Sequence, residues 1–399
     1  MTGHTDDPSR PAGNAVEVLL AFLKLGLTAF GGPIAHLGYF RDEFVTRRRW
    51  LTEAAYADLV ALCQFLPGPA SSQVGFGLGL MRAGPLGALA AFLAFTLPSA
   101  LLMVAFAFGA AMIDGPIGSG ILTGLKIVAV AIVAQAVWGM AKSLTPDRQR
   151  ATIAVLAVLL VVALGGSAGQ IAAIVFGAVA GYTVCRDLPL PEAGPVAFPV
   201  SRLAGFIALA LFFVLLFALP LLSATSQSLA VFDAFYRSGS LVFGGGHVVL
   251  PLLQAETVAP GWVSEDAFLA GYGAAQAMPG PLFTFAAYLG AVLGPEPNGV
   301  AGAAIALAAI FLPGFLLLVG VLPFWNQLSA RPWARAAMAG TNAAVVGILG
   351  AALYDPVFTS AITSPGAFAL ALVCFALLMV WKAPPWLVVI VAALGGILI

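Results

Sequence analysis

The sequence predicts an all-α integral membrane protein, polytopic, built from tandem inverted-topology repeats with broken or re-entrant helices. Three observations predict it. Of 399 residues, 61% are hydrophobic and only 9% charged, with mean hydropathy +1.03, far from the roughly 25% charge of soluble domains. Apolar stretches of the roughly 20 residues that cross a bilayer core recur from residue 15 to Ile399. The chain also repeats itself: "QFLPGP" at Gln64 returns as "QAMPGP" at Gln276, an offset of 212 (276 minus 64).

In chain order, residues 1–14 hold His4, Asp6, Asp7, Pro8 and Arg10 without an apolar core, so they read as a cytoplasmic polar tail and not a cleaved signal. Residues 15–185 form the first repeat and 225–399 the second. "KLGLTAFGGP" answers "RSGSLVFGGG", Trp50 answers Trp262, Tyr56 answers Phe268, "FTLPS" answers "IFLPG", and "TGLKIVAVAIV" answers "AGTNAAVVGIL". Residues 186–224 are a Pro-rich linker plus one apolar span, 203–222, with no counterpart. An unpaired span between two copies inverts the second. Loop charges agree: Arg41, Arg47, Arg48, Arg49, Arg82, Lys142, Arg148 and Arg150 flank the first half's segments, whereas Glu256, Glu265, Asp266, Glu296 and Asp355 stand in the matching second-half loops. Because Lys and Arg favour the cytoplasmic side, the layout places these basic residues inside, together with Arg10, Arg186, Arg202, Arg331, Arg335 and Lys382. Asp114 lies outside.

That layout requires the Phe30-Gly31-Gly32-Pro33 segment to enter the membrane and return, and residues 51–81 to do so around Pro67-Gly68-Pro69. Prolines remove backbone donors and forbid a continuous helix, and irregular backbone is tolerated at depth only where protein or a wet cavity satisfies it. Gly and Pro also kink ordinary spans. Breaks at matching places in both repeats, however, point to a transport site near the midplane, where Gly31, Gly32, Pro67, Gly68 and Pro69 meet Gly244, Gly245, Pro279, Gly280 and Pro281.

Half-helices that begin after Pro-Gly-Pro present free N–H groups to an anion. Ser71, Ser72 and Thr284 add hydroxyl donors. Lys24, Lys126 and Arg237 lie within apolar segments, where an ionisable group is a functional candidate by default; snorkelling to the interface is the other reading. Lys126 lies midway along its span. Lys24 and Arg237 each stand six residues before a Phe-Gly-Gly. Gln64 and Gln276 either orient an oxyanion or satisfy broken backbone. His36, His247 and Asp58 are candidates for proton coupling, with a structural hydrogen bond as the plainer role for the histidines; Asp58 and Asp233 read as proton carriers or ion-pair partners, with Asp233 placed at the interface. Cys63, Cys185 and Cys374 lie apart in apolar surroundings and read as small hydrophobes.

The duplicated pair "FGGP" with "QFLPGP" and "FGGG" with "QAMPGP" resembles the chromate transporter family in its long, two-domain form, from about residue 20 onward. The resemblance implies a bacterial inner-membrane carrier that expels chromate, a dianion shaped like sulfate, driven by membrane potential or a proton gradient. From the residues alone the substrate is a small oxyanion, and uptake of sulfate or another anion, or a passive anion channel, stays open. Gly246 stands where the first copy has Pro33. Three scattered histidines supply no metal spacing or nucleophile set, so neither an enzyme nor a cofactor is expected. Partners expected are the bilayer, the oxyanion, protons moving with or against it and a second copy in a homodimer, with no nucleic acid.

Overall fold

The computed structural model describes residues 13–110, 115–186, 200–243, 246–329 and 331–399, all helical or irregular. Most of the polar tail, Asp114, the linker from 187 to 199, Gly244 and Gly245 lie outside the described residues.

Helix α1 (Ala15–Thr28) starts on Asn14, whose side chain accepts from the Glu17 N–H at 2.8 Å, and stops at Ala29. Gly31 and Gly32 take φ of +102° and +77°, which side chains resist, and α2 (Gly32–Phe40) turns back along α1. The return is fixed by Phe22, which meets the Phe40 ring at 5.5 Å and stacks on Phe44 at 4.7 Å. A wide π-helical turn, Arg41–Arg47, follows.

The next pair is α3 (Glu53–Phe65) and the first arm of α4 (Ala70–Ala110). Leu59 lies 3.0 Å from where a Cβ on Gly77 would stand. Both residues are nine positions from Gly68, so the two helices fold antiparallel about the Pro-Gly-Pro turn. Each is about 20 Å long at 1.5 Å per residue, short of a ~30 Å core. Helix α4 is not continuous: Ala83 and Gly84 leave helical geometry, and the second arm packs back so closely that a Cβ on Gly79 or Gly87 would collide with the other's carbonyl oxygen.

Helices α5 (Gly115–Leu144), α6 (Arg148–Leu164) and α7 (Gly166–Val184) complete the first half, and α8 (Arg202–Leu222) lies between it and the second. The second half runs through α9 (Gln227–Ser240), α10 (Val249–Thr257), α11 (Glu265–Ala275), α12 (Phe285–Ala291) and α13 (Gly299–Val321). It continues with α14 (Trp325–Ser329), α15 (Pro332–Ala352), α16 (Pro365–Met379) and α17 (Pro385–Leu398). Its local devices match the first half's. Tyr288 of α12 packs on Gly271 and donates to the Ala267 carbonyl at 3.0 Å, and Gly290 and Gly302 cross as tightly as Gly79 and Gly87. Among the described residues, six helices are long and apolar enough to cross a membrane. This is a multi-pass membrane protein.

The halves interlock. Helix α15 packs on α6 and α7, α17 on α5, and α13 on α4 and α8. Contacts sort the helix ends into two levels. At one, the Gly13 N–H donates to the Arg82 carbonyl at 3.1 Å and Arg82 pairs with Glu17 at 3.0 Å, while Pro323, just after α13, packs on Gly205 near the start of α8. At the other, Phe108 near the end of α4 meets Gly299 at the start of α13, and the Ser167 hydroxyl donates to Glu256 at 2.9 Å. The α4 second arm and α13 therefore run in opposite directions.

Candidate functional site

In each Pro-Gly-Pro turn the flanking residues have no N–H, so the central glycine amide is the donor left to place. Gly68, at φ +121°, donates to the Val242 carbonyl at 2.7 Å; Gly280, at φ +93°, donates to the Ala29 carbonyl at 2.8 Å. Ala29 and Val242 are the residues just before the two Phe-Gly-Gly breaks. Each half's turn is thus bonded to the other half's break. The glycines are also needed for closeness: a Cβ on Gly68 would stand 3.0 Å from Gly314 Cα, and one on Gly280 would stand 3.2 Å from Ser99 Cβ. A Cβ on Gly246 would meet Pro33 Cγ at 3.1 Å and Leu282 at 3.8 Å, so all four breaks come together.

Side-chain polar groups ring this junction. Thr284 donates to the Pro281 carbonyl at 2.8 Å and accepts from Ser99 at 2.5 Å. Gln73 donates to the Pro67 and Gly314 carbonyls at 3.0 and 2.9 Å. His36 is buried, with Nδ1 3.4 Å from the Ser71 hydroxyl and its ring edge-on to Phe95 at 5.2 Å. His36 Nε2, Ser72 Oγ, Thr96 Oγ1 and Gln276 Nε2 are buried with no hydrogen-bond partner, a costly state inside a protein. Gln276 Nε2 is a donor, the two hydroxyls are able to donate, and His36 Nε2 donates in the tautomer whose Nδ1 accepts from Ser71; Gln73 Oε1, an acceptor, is also left without a partner there.

Other sequence candidates lie elsewhere. Gln64 is exposed at the end of α3, unlike its mate Gln276, and Asp58 is half-buried on α3. His247 Nδ1 sits 2.7 Å from the Tyr272 hydroxyl, a structural role. The three cations all have acidic partners. Lys24, its side chain 55% exposed, lies 3.7 Å from Glu43. Lys126 reaches Asp266 at 2.8 Å, and Asp266 is 74% exposed at the start of α11, so its ammonium points to a helix end although the residue is midway along its span. Arg237 bonds Asp233 at 2.9 Å and Glu256 at 2.8 Å. Only 2% of Asp233 is exposed, which the guanidinium one turn along permits.

Glu43 also bonds Arg47 at 2.9 Å and Arg48 at 2.7 Å. Burial pushes its carboxyl up, but the Arg48 hydrogen bond and the charges of Lys24, Arg48 and Arg47 outweigh that and hold it below its ordinary 4.5. Sequence reasoning missed Glu43 and Glu256 as partners of Lys24 and Arg237, though both acids keep the 213-residue offset of the cations (237 minus 24; 256 minus 43). It also missed Gln73, Thr96, Ser99 and Gly314, the last two within the matched "LPS" and "LPG". All three cysteines are free and buried. Among the described residues no three acid, His or Cys side chains are grouped to hold a metal.

A family model described as Chromate transporter matches residues 16–182 and again 229–397. The chain is 29% identical to the Chromate transport protein of Pseudomonas aeruginosa, covering 99% of this chain and 94% of that one. It is also 29% identical to the Probable chromate transport protein of Synechococcus elongatus (97% and 96% covered) and 27% identical to the Chromate transport protein of Cupriavidus metallidurans (92% and 88%). No solved structure matches.

Proposed function

The chain belongs to the chromate transporter family, whose members are transporters and not enzymes, and from that premise we propose that it expels chromate from the cytoplasm across a bacterial inner membrane, driven by the membrane potential or a proton gradient. The observation that carries this reading is the exchange of hydrogen bonds between Gly68 and Val242 and between Gly280 and Ala29. It joins four helix breaks at one place, where unpaired donors collect and the starts of α4 and α12 add their dipoles. A tetrahedral oxyanion matches that donor set.

The two copies, residues 15–185 and 225–399, are inverted repeats in this reading. Support comes from the opposite directions of α13 and the α4 second arm, and from the basic residues near Arg82 against the acidic ones near Glu256. The N-terminus and the Arg47–Arg49 loop are cytoplasmic. Lys24, Lys126 and Arg237 supply positive charge along the path, and an anion reaching Arg237 competes with Asp233 and Glu256 for its N–H groups. Desolvating a dianion costs several kcal/mol per charge, whereas a helix end returns about 0.3–2 kcal/mol, so cations are needed besides the helix starts.

Counterflow in proteoliposomes tests the proposal. Internal unlabelled chromate should drive transient accumulation of labelled chromate, sulfate and molybdate should compete by shape, and fluoride should not. Flux without counterflow would mean a channel, and uptake of sulfate with indifference to chromate would mean another substrate.

A further inference from the structure

Asp233, Arg237 and Glu256 form a cluster with one acid too many. The same nitrogen, Arg237 Nη2, is 2.9 Å from Asp233 Oδ2 and 2.8 Å from Glu256 Oε2. Glu256 Oε1 is further satisfied by the Ser167 hydroxyl at 2.9 Å. Asp233 Oδ1 has no partner, although the residue is 98% buried (100 minus 2), and Arg237 Nε is likewise buried and unpaired. In the other half Lys24 and Glu43 hold the equivalent places, but there the surplus is cationic, Arg47 and Arg48, and the counterpart of Asp233 is Leu20.

The turn Ser223–Thr225 and helices α8, α10 and α13 pack against α9. Of these, α13 and the turn carry no titratable side chain. Helix α8 has only Arg202, ten residues before Phe212, whose carbonyl accepts from Tyr236 at 3.0 Å, and α10 contributes only Glu256. On α9 itself the titratable residues are Asp233, Tyr236 and Arg237. Helices α7 and α15 and the Gly246–Val248 turn pack against α10 and bring Tyr182, Arg335 and His247; Tyr182 stands fifteen residues along α7 from the Ser167 that bonds Glu256 (182 minus 167), Arg335 is next to the Ala336 that packs on Gly181 at that same far end, and His247 faces Tyr272. Arg237 is the cation bonded to both carboxylates.

We propose that this cluster is a proton-binding site that sets the affinity of the transporter for its anion. With both acids ionised, one guanidinium is shared between two carboxylates and repels a third negative group. A proton taken from the aqueous side onto Asp233 Oδ1 leaves Arg237 matched to Glu256 alone, and its remaining N–H groups open to an oxyanion. Binding is then reciprocal: the proton raises anion affinity, and the anion raises proton affinity by the same factor. A dianion accompanied by one proton still carries net negative charge, which an inside-negative potential drives outward. The inference rests on the reading that the anion meets Arg237.

The test is chromate binding to the purified protein in nanodiscs from pH 5.5 to 8.5, with proton uptake followed by a dye in weak buffer and chromate's own protonation subtracted. The wild type should bind at least tenfold more tightly at the acid end and take up protons on binding. Asp233→Asn, which mimics the protonated acid, should bind tightly at every pH and take up none. Asp233→Asn with the wild-type pH slope, or a wild type that takes up no proton, overturns the inference, the second without any variant. Unchanged affinity in Arg237→Gln overturns the underlying site reading instead.

Discussion

Pro33 and Gly246 hold the same place in the two Phe-Gly-Gly motifs, and they face each other: a Cβ on Gly246 would stand 3.1 Å from Pro33 Cγ. A position that meets its own counterpart lies where the two halves are related to each other. A side chain at Gly246 would oblige the Pro33 ring to give by a few tenths of an ångström. The departure of the second copy from "FGGP" relieves that contact. Gly246→Pro should lose transport and lower the thermal midpoint in detergent, while Pro33→Gly/Gly246→Pro should regain most of both. Independent losses in the double variant would contradict the contact, since coupled neighbours depart from additivity by about 0.5–3 kcal/mol.

Gly68→Leu and Gly280→Leu should each reduce chromate flux more than tenfold at equal membrane abundance. Both positions combine positive φ with a neighbour within 3.2 Å of the missing Cβ, and strained backbone of this kind costs about 1–3 kcal/mol. Wild-type flux in either variant refutes a central role for that turn.

Arg237→Gln and Lys126→Gln should weaken apparent chromate affinity more than tenfold, over ~1.4 kcal/mol, and Lys24→Gln less. Arg237→Gln also strands Asp233 and Glu256, so it should lower abundance, and Arg237→Gln/Asp233→Asn should restore abundance without restoring affinity. Arg237→Lys recovers everything only if charge alone matters. Unchanged affinity in all three glutamine variants would leave backbone and hydroxyls as the whole anion site.

Glu43 gives a pH prediction with a definite sign. Its carboxyl is held below 4.5 in the folded protein, so on acidification the unfolded chain takes the proton first. The stabilisation is complete above the unfolded value and disappears as pH falls through the folded one. Glu43→Gln should therefore melt below the wild type at pH 7, with the gap closing toward pH 3. A gap that is constant across that range would show that its hydrogen bonds, and not its charge, matter.

Single cysteines at positions 46 and 260 should react oppositely with an impermeant maleimide, 260 from the periplasm and 46 only after permeabilisation. The three native cysteines are buried and should give little background. Equal labelling from outside would sink the inverted layout.

The membrane class and the positions of the helix breaks could be read from hydropathy and from the spacing of Gly and Pro, because a break in a bilayer demands special residues locally. What fills a break could not. That Gly68 finds Val242, and that Ser99 reaches Thr284, depends on how the halves dock, and hydroxyls in apolar runs look alike whether they face lipid or a neighbour. Lys24 and Arg237 stood out as charges. Their acids did not, because Glu43 sits among the charges of the Arg41–Arg47 turn and Glu256 near the end of α10, and both read as the edge of an apolar segment, where an acid needs no explanation. The end of the re-entrant segment at residue 81 was legible from Arg82; that the chain turns at Ala83–Gly84 between two tightly packed helix arms was not, because that packing joins Gly79 to Gly87 across the bend.

The crossed hydrogen bonds at Gly68 and Gly280 constrain how such a chain is made. When the ribosome has delivered the first half, the Pro67–Pro69 turn has been made, but the acceptor of its glycine amide, Val242, has not been synthesised. The early half must therefore wait, part-built, with that amide without its final partner. A gene cut at the linker would yield two fragments, neither able to close its own turn, and their co-translation in one cell would be the condition for assembly.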